Sequence, residues 1–526
     1  MGSATGHFPT SLTAMLHSSY VPSLQDRARV QESINEVELA ISTVDAELIR
    51  AHAALAELEG RRHQLEATLA THQSIVAPIR SLPQEILREI FRFACAGRII
   101  QWPFNPTETS LPWCLGRVCS YWRKTFLSVQ GLWANIDLTF NMKPAPKNMG
   151  KALSFLGAVL ERSGEELLTL SVTADGTGID TILGALLYHS RRWLDLSLHI
   201  ERLFEHYPPL LSPAKSRIPN LRRLRLSTSP SRVDNANAAL DAFQTAPKLR
   251  EVVASKIDNP FHFLRLPWSQ ITHYTSKFNR FHEGEFVQML AAMPNLVFFS
   301  SERERVLEMG SLPPAALPQL KSLIVANKAM YMAKTHQCIL APNLASLTID
   351  AITAFPEQDV LHFVRSQCQA TLTHLDLTLP SDSDPGGVIS ILIYVPNLTS
   401  LRLSIHNPPE RLVERLSYFP QSNGGVTLLR KLTTFELECT GCSYTSSRAI
   451  ADMLVSRMTI SWGDNATLQS IKVKLSSPPL SDLPSSEKPG NLRELMLILR
   501  PHEKDISSSE LLCIRWGRYF FTVASL

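Results

Sequence analysis

The first residues whose type and spacing could do chemistry are two cysteines, in the segment Cys439-Thr-Gly-Cys442. Thiolates at this spacing bind zinc when a second cysteine pair or a pair of histidines supplies the remaining ligands. This sequence has neither a second such pair nor a histidine pair nearby. The two cysteines therefore favour a structural or incidental role, and we predict no metal site.

Other motifs for catalysis or cofactor binding are equally poor. The segment Asp175-Gly-Thr-Gly178 lacks the third glycine of a dinucleotide-binding loop and does not open a helix after a buried strand, so it predicts a turn. The sequence contains no GxSxG, HExxH or P-loop motif, and its 16 histidines are dispersed. We therefore expect no catalytic site and no cofactor, and a role in binding rather than in catalysis.

Composition limits the class of protein. With 526 residues and 44% hydrophobic residues, the chain is long enough for several domains or a repeat array. Its 52 basic and 48 acidic residues give a formal charge of +4, which does not indicate nucleic-acid binding by bulk charge. The first 20 residues lack the pattern of an export signal, and the most apolar run, 388–395, is far too short to span a membrane. We expect a cytoplasmic or nuclear protein without membrane contact.

The segment 78–91 predicts a helix with one apolar face. Ser81 and Gln84 have the spacing of a capping box, and Pro83 falls in the first turn, where a missing N–H costs little. Apolar residues then recur at helical spacing, with charged residues on the other side. The apolar positions are Ile86, Leu87, Ile90, Phe91 and Ala94.

Three short motifs in this region resemble the F-box. They are Leu-Pro-x-Glu-Ile-Leu at 82–87, Val-Cys-x-x-Trp-Arg at 118–123 and Leu-Trp at 132–133. The stretch 96–113 is longer than in the compact family domain and contains three prolines, so it predicts an inserted loop. The resemblance implies binding to a Skp-type adaptor, which links F-box proteins to a cullin ubiquitin ligase. It assigns the adaptor-facing or helix-supporting role to Leu82, Pro83, Ile86, Leu87, Ile90, Leu115, Val118, Trp122 and Trp133. The alternative is that these residues only pack a helical subdomain.

Residues 30–76 carry a heptad pattern. Apolar residues alternate at spacings of three and four, and the segment contains no proline. A seam sustained over this length predicts a partner helix, from a second copy or from the same chain, because one helix would leave the seam in water. The other possibility is a long solvated helix that acts as a spacer. The seam positions are Ile34, Val37, Ile41, Val44, Leu48, Ala51, Leu55, Leu58, Arg62, Leu65, Leu69 and His72.

From about residue 165 the sequence repeats the pattern apolar-x-x-apolar-x-apolar. Most units lie 22 to 28 residues apart, with two longer steps of 34 and 36, which is typical of leucine-rich repeats. Pro-x-Leu precedes six of these units. The units begin at Leu167, Trp193, Leu221, Leu249, Ile271, Leu296, Leu320, Leu344, Leu372, Leu398, Leu432, Leu468 and Leu492.

This periodicity predicts an α/β solenoid. The last three positions of each unit alternate as a short strand does, so stacked units form a parallel sheet, with helices or irregular turns on the other side. The asparagine that commonly closes such a strand is mostly absent, so the units resemble the divergent repeats of fungal F-box/leucine-rich-repeat proteins. An ordinary doubly wound α/β domain is the alternative, although it would not explain so steady a spacing.

The residues beside the core positions of each strand should point out of the concave sheet. In the later repeats these include four carboxylates and Arg402, whereas Arg223 and Arg225 stand beside Asp195 and Glu251 in the early repeats. We predict that a basic segment of a substrate docks on the later carboxylates, because complementary charge speeds and orients association. Solvated carboxylates that keep the sheet soluble are the alternative. The predicted substrate-binding residues are Asp350, Asp376, Glu436 and Glu438.

Together these patterns predict a non-catalytic subunit of an SCF-type ubiquitin ligase, with an unknown protein substrate. A binding scaffold that does not act in a ligase is the alternative. The predicted segments are a disordered tail (1–29), a coiled coil (30–76), an F-box with inserted loop (77–140), a linker (141–164), divergent leucine-rich repeats (165–500) and a C-terminal cap or tail (501–526).

Overall fold

A computed structural model gives the fold. It describes residues 23–103, 113–140, 149–174, 179–201, 203–228, 239–281, 284–303, 305–306, 313–327, 335–351, 353–381, 386–406, 410–417, 428–440, 449–450, 452–454, 456–457 and 468–476. The predicted turn at 175–178, Cys442, the repeat at Leu492, the tail 501–526 and most of the tail 1–29 lie outside these residues. The chain divides into two compact units, Met1–Leu87 and Arg88–Leu526.

The first unit contains one long helix, α1, Leu24–Val76, of 53 residues. The predicted long N-terminal helix is confirmed, and it starts earlier than the heptad pattern indicated, so residues 24–29 do not belong to a tail. Its apolar seam is exposed to solvent: Ile41 and Val44 are each 54% exposed, and Leu58 is 66% exposed. A partner helix for this seam remains a prediction.

A short turn and a second helix follow α1. The 3-10 turn Pro78–Ser81 is closed by the Ser81 hydroxyl, which donates to the Pro78 carbonyl at 2.7 Å. Helix α2, Gln84–Ala94, begins when the Leu87 N–H donates to the Pro83 carbonyl at 3.1 Å. The predicted capping box is wrong, because α2 begins three residues after Ser81 and not directly behind it.

The second unit is built on one parallel sheet of 14 strands. Among the described residues, each strand of this sheet pairs with the next strand of the same sheet along the chain, and the sheet is open. Helices and short turns connect its strands. The sheet strands are β1 Ile100–Trp102, β2 Asn135–Phe140, β3 Leu168–Ala174, β4 Trp193–Ile200, β5 Arg223–Ser227, β6 Glu251–Ser255, β7 His273–Lys277, β9 Phe298–Glu302, β12 Ser322–Asn327, β14 Ser346–Ala351, β15 His374–Thr378, β16 Ser400–His406, β17 Thr434–Thr440 and β18 Ser470–Ser476.

Four two-residue strands form two small separate ladders. They are β8 Arg280–Phe281 with β10 Arg305–Val306, and β11 Ala315–Ala316 with β13 Ile339–Leu340. Both ladders are parallel.

The register of the sheet explains the repeated apolar pattern. The middle apolar residue of each unit lies opposite its equivalent in the next, as in Leu347, Leu375 and Leu401, and all three are buried. The last apolar residue forms a second buried column two positions later, as in Leu377 and Leu403. The residues between them lie on the opposite face, which we call the outer face. The predicted large parallel sheet is confirmed.

Asparagines link successive turns before the strands. Asn295 donates its side-chain amide to the Ser269 carbonyl at 2.8 Å, and Asn343 donates to the Pro318 carbonyl at 2.9 Å. Each asparagine follows the proline of a Pro-x-Leu unit, and the proline stands four residues before its strand. Each asparagine thus supplies a hydrogen-bond donor to a backbone carbonyl of the preceding turn, which makes no hydrogen bond within the sheet. Asn220 and Asn397 make the equivalent bonds to Arg191 and Ala370.

Helices and short turns fill the connections between strands. The segment 141–164 is not a linker, because it holds helix α5, whose side chains Ala152, Leu156, Val159 and Leu160 are buried. Described helices of this unit include α3 Leu115–Val118, α4 Ser120–Ser128, α5 Met149–Arg162, α6 Asp180–Tyr188, α7 Leu203–His206, α8 Pro208–Leu211, α9 Pro260–Phe263, α10 Glu285–Ala291, α11 Glu357–Phe363, α12 Gly386–Ile393 and α13 Glu410–Leu416.

The sheet begins earlier than the repeat pattern predicts. Strand β1 lies inside the predicted inserted loop 96–113, and β2 lies in the predicted F-box segment. Ile100 of β1 and Ile136 of β2 are buried at the start of the first apolar column. The F-box segment and the sheet therefore share elements, and the predicted boundary between 140 and 165 is wrong.

Candidate protein-interaction surfaces

Aromatic contacts hold the helices after α2 together. The rings of Phe91 on α2 and Trp122 on α4 meet edge to face at 5.1 Å, and Phe126 of α4 lies 5.0 Å from Trp133. Gly116 lies so close to Phe126 that an added Cβ would come within 3.2 Å of its ring. These contacts follow from the Val-Cys-x-x-Trp-Arg and Leu-Trp motifs, whose aromatic residues pack the helices.

Three of the nine predicted adaptor-binding residues are buried. Leu87 and Trp133 are 0% exposed and Leu115 is 8% exposed. A side chain without solvent exposure cannot form the surface that a partner contacts, so these three can only support the helices. The Arg162 guanidinium lies over the Trp133 ring, 4.7 Å from its centre, and this cation–π contact links Trp133 to α5.

The remaining predicted residues are accessible. In the first unit, Pro83 is exposed, Leu82 is partly exposed and Ile86 is 50% exposed. In the second unit, Ile90 is 39% exposed, Val118 is 53% exposed and Trp122 is partly exposed.

Phe93 of α2, which is 87% exposed, was not among the predicted residues. Phe93 lies outside the apolar stripe, beside Ala94. The signal that could have identified it is a large aromatic residue on the charged side of the helix. Aromatic residues are enriched in protein interfaces, so Phe93 adds to the exposed apolar residues of this segment as a candidate contact.

The predicted carboxylates lie on the outer face of the later strands. Arg402 Nη1 lies 3.9 Å from Asp376 Oδ2, and its Nε lies 3.7 Å from Glu436 Oε2. Lys472 of β18 adds a second cation, 3.8 Å from Glu436 Oε2. The predicted count of one arginine against four carboxylates left out the lysines of the Leu468 repeat, so the carboxylate excess is smaller than predicted.

Neighbouring charges act on Asp376 in opposite directions. Burial raises the pKa of its carboxyl group, Arg402 lowers it, and the carboxylates of Glu436 and Asp350 raise it. Asp350 itself is exposed. In the strand register Glu438 lies opposite Lys474. The four predicted carboxylates thus lie on three adjacent or nearby strands of one face, but they share it with basic residues.

The early strands carry a different charge arrangement. Arg223 Nη1 lies 3.1 Å from Asp195 Oδ2, and its Nε lies 2.8 Å from Glu251 Oε2. Both carboxylates that the sequence placed beside the early arginines are therefore taken by Arg223. Arg225 is exposed and forms no ion pair with a carboxylate of the described residues.

A cavity of about 450 Å³ lies on the outer face beside Arg225. Val253, Phe298 and Ile324 supply apolar lining, and Lys277 forms an ion pair with Glu302 at 2.8 Å. Burial lowers the pKa of His199, a lining residue, Asp137 raises it, and the nearby cations Arg225 and Lys256 lower it further. The other lining residues are Leu226, Ser227, Ser255, Thr275 and Ser300.

Within the described ranges, no three His, Cys, Asp or Glu side chains are grouped so as to hold a metal ion. Cys439 is buried, and the second cysteine of the motif, Cys442, lies outside those ranges. None of the helices described is both long and apolar enough to cross a bilayer.

No protein-family model matches this chain, and no curated protein matches it.

Proposed function

We propose that this chain is a non-catalytic, substrate-recruiting F-box subunit of an SCF-type ubiquitin ligase. The helical segment would bind a Skp-type adaptor and through it a cullin, and the sheet would hold a protein substrate. Free thiols such as those of Cys95 and Cys368 are compatible with the reducing environment of the cytoplasm or nucleus.

We infer that the repeats form a solenoid of divergent leucine-rich units. The support is the strand order, in which every sheet strand pairs in parallel with its neighbour along the chain. A doubly wound sheet changes direction at a switch point, and this order has none among the described strands. A stack of this kind leaves one long face free for a protein partner.

One observation carries the adaptor part of the proposal. The F-box-like residues separate into buried ones that hold the helices, such as Leu87 and Trp133, and exposed apolar ones, such as Ile86, Ile90 and Val118. A subdomain that served only packing would bury its apolar residues, whereas exposed apolar side chains favour a partner.

A scaffold without ligase activity is the second candidate, and the exposed seam of α1 favours it. Leu48, Leu55 and Leu65 of α1 are each at least 50% exposed, and no apolar residue of α1 is buried. Self-association through this seam would build an assembly with or without an adaptor. The two candidates differ in whether a cullin is bound.

The adaptor is tested by mixing the full chain with a purified Skp-type adaptor and a cullin. We expect the native chain to elute with both proteins on size exclusion, and the double variant Leu82→Ala/Pro83→Ala to elute alone. The variant Leu55→Ala is the control, because it removes an exposed leucine from α1, outside the F-box-like motifs. Retained adaptor binding by the double variant contradicts the assignment, and adaptor binding without cullin favours the scaffold.

Docking of a basic substrate segment on Asp350, Asp376, Glu436 and Glu438 remains a prediction. Arg402 and Lys472 already share two of these carboxylates. Reversing Asp350, Asp376 and Glu436 to lysine should slow substrate association and reduce its salt dependence without affecting adaptor binding. An unchanged association rate would place docking elsewhere.

A further inference from the structure

Three successive strands of the early sheet end in a left-handed residue that is not glycine. Lys256 follows β6 with φ 57°, Phe278 follows β7 with φ 58°, and Arg303 follows β9 with φ 53°. The backbone N–H of Lys256 donates to the carbonyl of Lys277, the last residue of β7, at 2.8 Å. The N–H of Phe278 donates to the carbonyl of Glu302, the last residue of β9, also at 2.8 Å. We call Lys256, Phe278 and Arg303 the strand-end ladder.

Glycine would make the same turns without strain. A bulky side chain in the left-handed region is disfavoured by contact between its Cβ and the backbone, and such strain is retained where the side chain itself is needed. The ladder side chains do not pack the core: Phe278 is 45% exposed, and Lys256 and Arg303 are exposed. Their retention therefore indicates a role outside the fold.

The ladder adjoins the cavity on the outer face. Ser255, Lys277 and Glu302, which line the cavity, each directly precede one ladder residue along the chain. Lys277 and Glu302 neutralise one another. Lys256, Arg303 and Arg225 form no ion pair with any carboxylate in the described part of the chain.

We propose that the ladder and the cavity dock an acidic, extended segment of a protein partner. Carboxylates of the segment would pair with Arg225, Lys256 and Arg303, and one apolar side chain would enter the cavity against Val253, Phe298 and Ile324. This inference rests on the proposed function in one respect, that the sheet is the part that recruits a partner.

A nucleic acid fits this surface less well. Sequence-tolerant binding of single strands needs aromatic faces on which bases stack. Here the Arg303 guanidinium already covers the Phe278 ring at 5.5 Å, and His273 stacks on Phe298 at 5.8 Å. The cavity is lined mostly by small hydroxyl and apolar side chains, which suit one side chain of a peptide.

The test uses the full chain and three fluorescent probes measured by anisotropy. They are a blocked decapeptide with five glutamates and one leucine, the same peptide with glutamines in place of the glutamates, and a uridine decamer. We expect the glutamate peptide to bind at least tenfold more tightly than the glutamine peptide, with an affinity that falls as salt is added. Tighter binding of the uridine decamer than of the glutamate peptide overturns the proposal.

The decisive variant is Lys256→Gly/Phe278→Gly/Arg303→Gly. Because glycine favours the same backbone, we expect thermal unfolding at the same or a higher temperature, together with at least a tenfold loss of affinity for the glutamate peptide. Ser216→Gly, at another left-handed residue with φ 65°, is the matched control and should leave affinity unchanged.

A second variant, Arg225→Gln, does not change the backbone turns and should lower the affinity for the glutamate peptide at least threefold. Native affinity in either the triple variant or Arg225→Gln overturns the proposal. Adaptor binding by the same variants should stay native, so failure of this inference is distinguishable from failure of the proposed function.

Discussion

The early and late halves of the sheet use the same repeat in different ways. In strands β12 to β16 the second buried column is aliphatic, with Val325, Ile349 and Leu403. In strands β7 and β9 that column holds Ser276 and Ser301, both 0% exposed. Strands β12 to β16 thus follow the repeat, and β7 and β9 depart from it inside the core, whereas β3 to β5 keep Val172, Leu198 and Leu226 in that column.

One column of the outer face also differs in charge, although Arg223 in the neighbouring column pairs with Asp195 and Glu251 in the early half. On the late outer face Arg402 lies between Asp376 and Glu436, whereas Arg225 on the early outer face has no such partner among the described residues. The early strands also end in the strained residues of the ladder. Local departures from an otherwise consistent sequence pattern are expected at functional sites. These differences support the early part of the sheet as the place where the proposed acidic segment docks.

The largest effect is expected at Asn279, which satisfies the polar core of the early half. Its side chain donates to the Ala254 carbonyl at 3.0 Å and to Ser276 Oγ at 2.7 Å, and it accepts from the Ile257 N–H at 2.8 Å. Asn279→Ala leaves these buried groups unpaired, so we expect a loss of about 3 kcal/mol in the free energy of unfolding, measured with urea.

Asn295→Ala is the matched control for this substitution. It removes one exposed hydrogen bond to the Ser269 carbonyl and should cost about 1 kcal/mol. Equal losses for the two variants would contradict a polar core that depends on Asn279.

The late half contains a buried histidine, His336, which sharpens the comparison through pH. Its ring is 4% exposed, stacks on Phe363 at 5.0 Å and leaves both nitrogens without a hydrogen bond. Burial lowers the pKa of His336 to about 4. Between pH 6.5 and about 4 the unfolded chain binds a proton that the folded chain does not, so the free energy of unfolding falls as the pH falls.

The pH effect should total about 3 kcal/mol below pH 4. His336→Leu should therefore lose less stability than the native chain between pH about 7 and about 4.5 in urea unfolding. His374→Leu, at an exposed histidine of β15, is the control and should keep the native pH dependence. A native pH dependence in His336→Leu would show that another group causes it.

A smaller effect of opposite sign is expected at the strand-end ladder. Replacing Lys256, Phe278 or Arg303 by glycine relieves a left-handed backbone, so each variant should gain up to about 1 kcal/mol in the free energy of unfolding. Thermal unfolding of the three single variants measures this gain. A loss of about 2 kcal/mol at any of them would mean that its side chain is part of the core.

The smallest change in stability is expected at the late charge cluster. Arg402→Gln should cost less than about 0.5 kcal/mol, because its ion pairs are long and half exposed. The pKa of Asp376 should rise further, since Arg402 lowers it, whereas Glu436→Gln should lower that pKa. Carboxyl-carbon NMR titration distinguishes the two shifts, and shifts of the same sign would refute a cluster governed by these charges.

Much of the sheet could be predicted from the spacing of apolar residues. The column of Leu347, Leu375 and Leu401 follows from a pattern that repeats with the strands, because parallel register keeps equivalent residues opposite each other. Strands β1 and β2 were missed because they precede the first full repeat. The alternation of Ile136, Leu138 and Phe140 indicates a strand, but that segment was assigned to the predicted F-box.

The candidate surfaces were less predictable. The exposure of Ile90 and the burial of Leu87 depend on how α2 packs, which one helical stripe does not determine. Lysine, phenylalanine and arginine carry no sequence signal for a positive φ, so the strand-end ladder could not be predicted. The pairing of Glu436 with Lys472 required the register of β17 with β18 across a step of 36 residues.

The difference between the two halves is tested most directly by one charge reversal in each. Arg225→Glu and Arg402→Glu change the same kind of residue in the same column of the outer face, and only Arg402 has ion-pair partners in the described structure. Affinity for the blocked glutamate decapeptide is measured for both full-length variants by anisotropy. We expect at least a tenfold loss of affinity for Arg225→Glu and native affinity for Arg402→Glu. Equal affinities in the two variants, or a loss confined to Arg402→Glu, would contradict it.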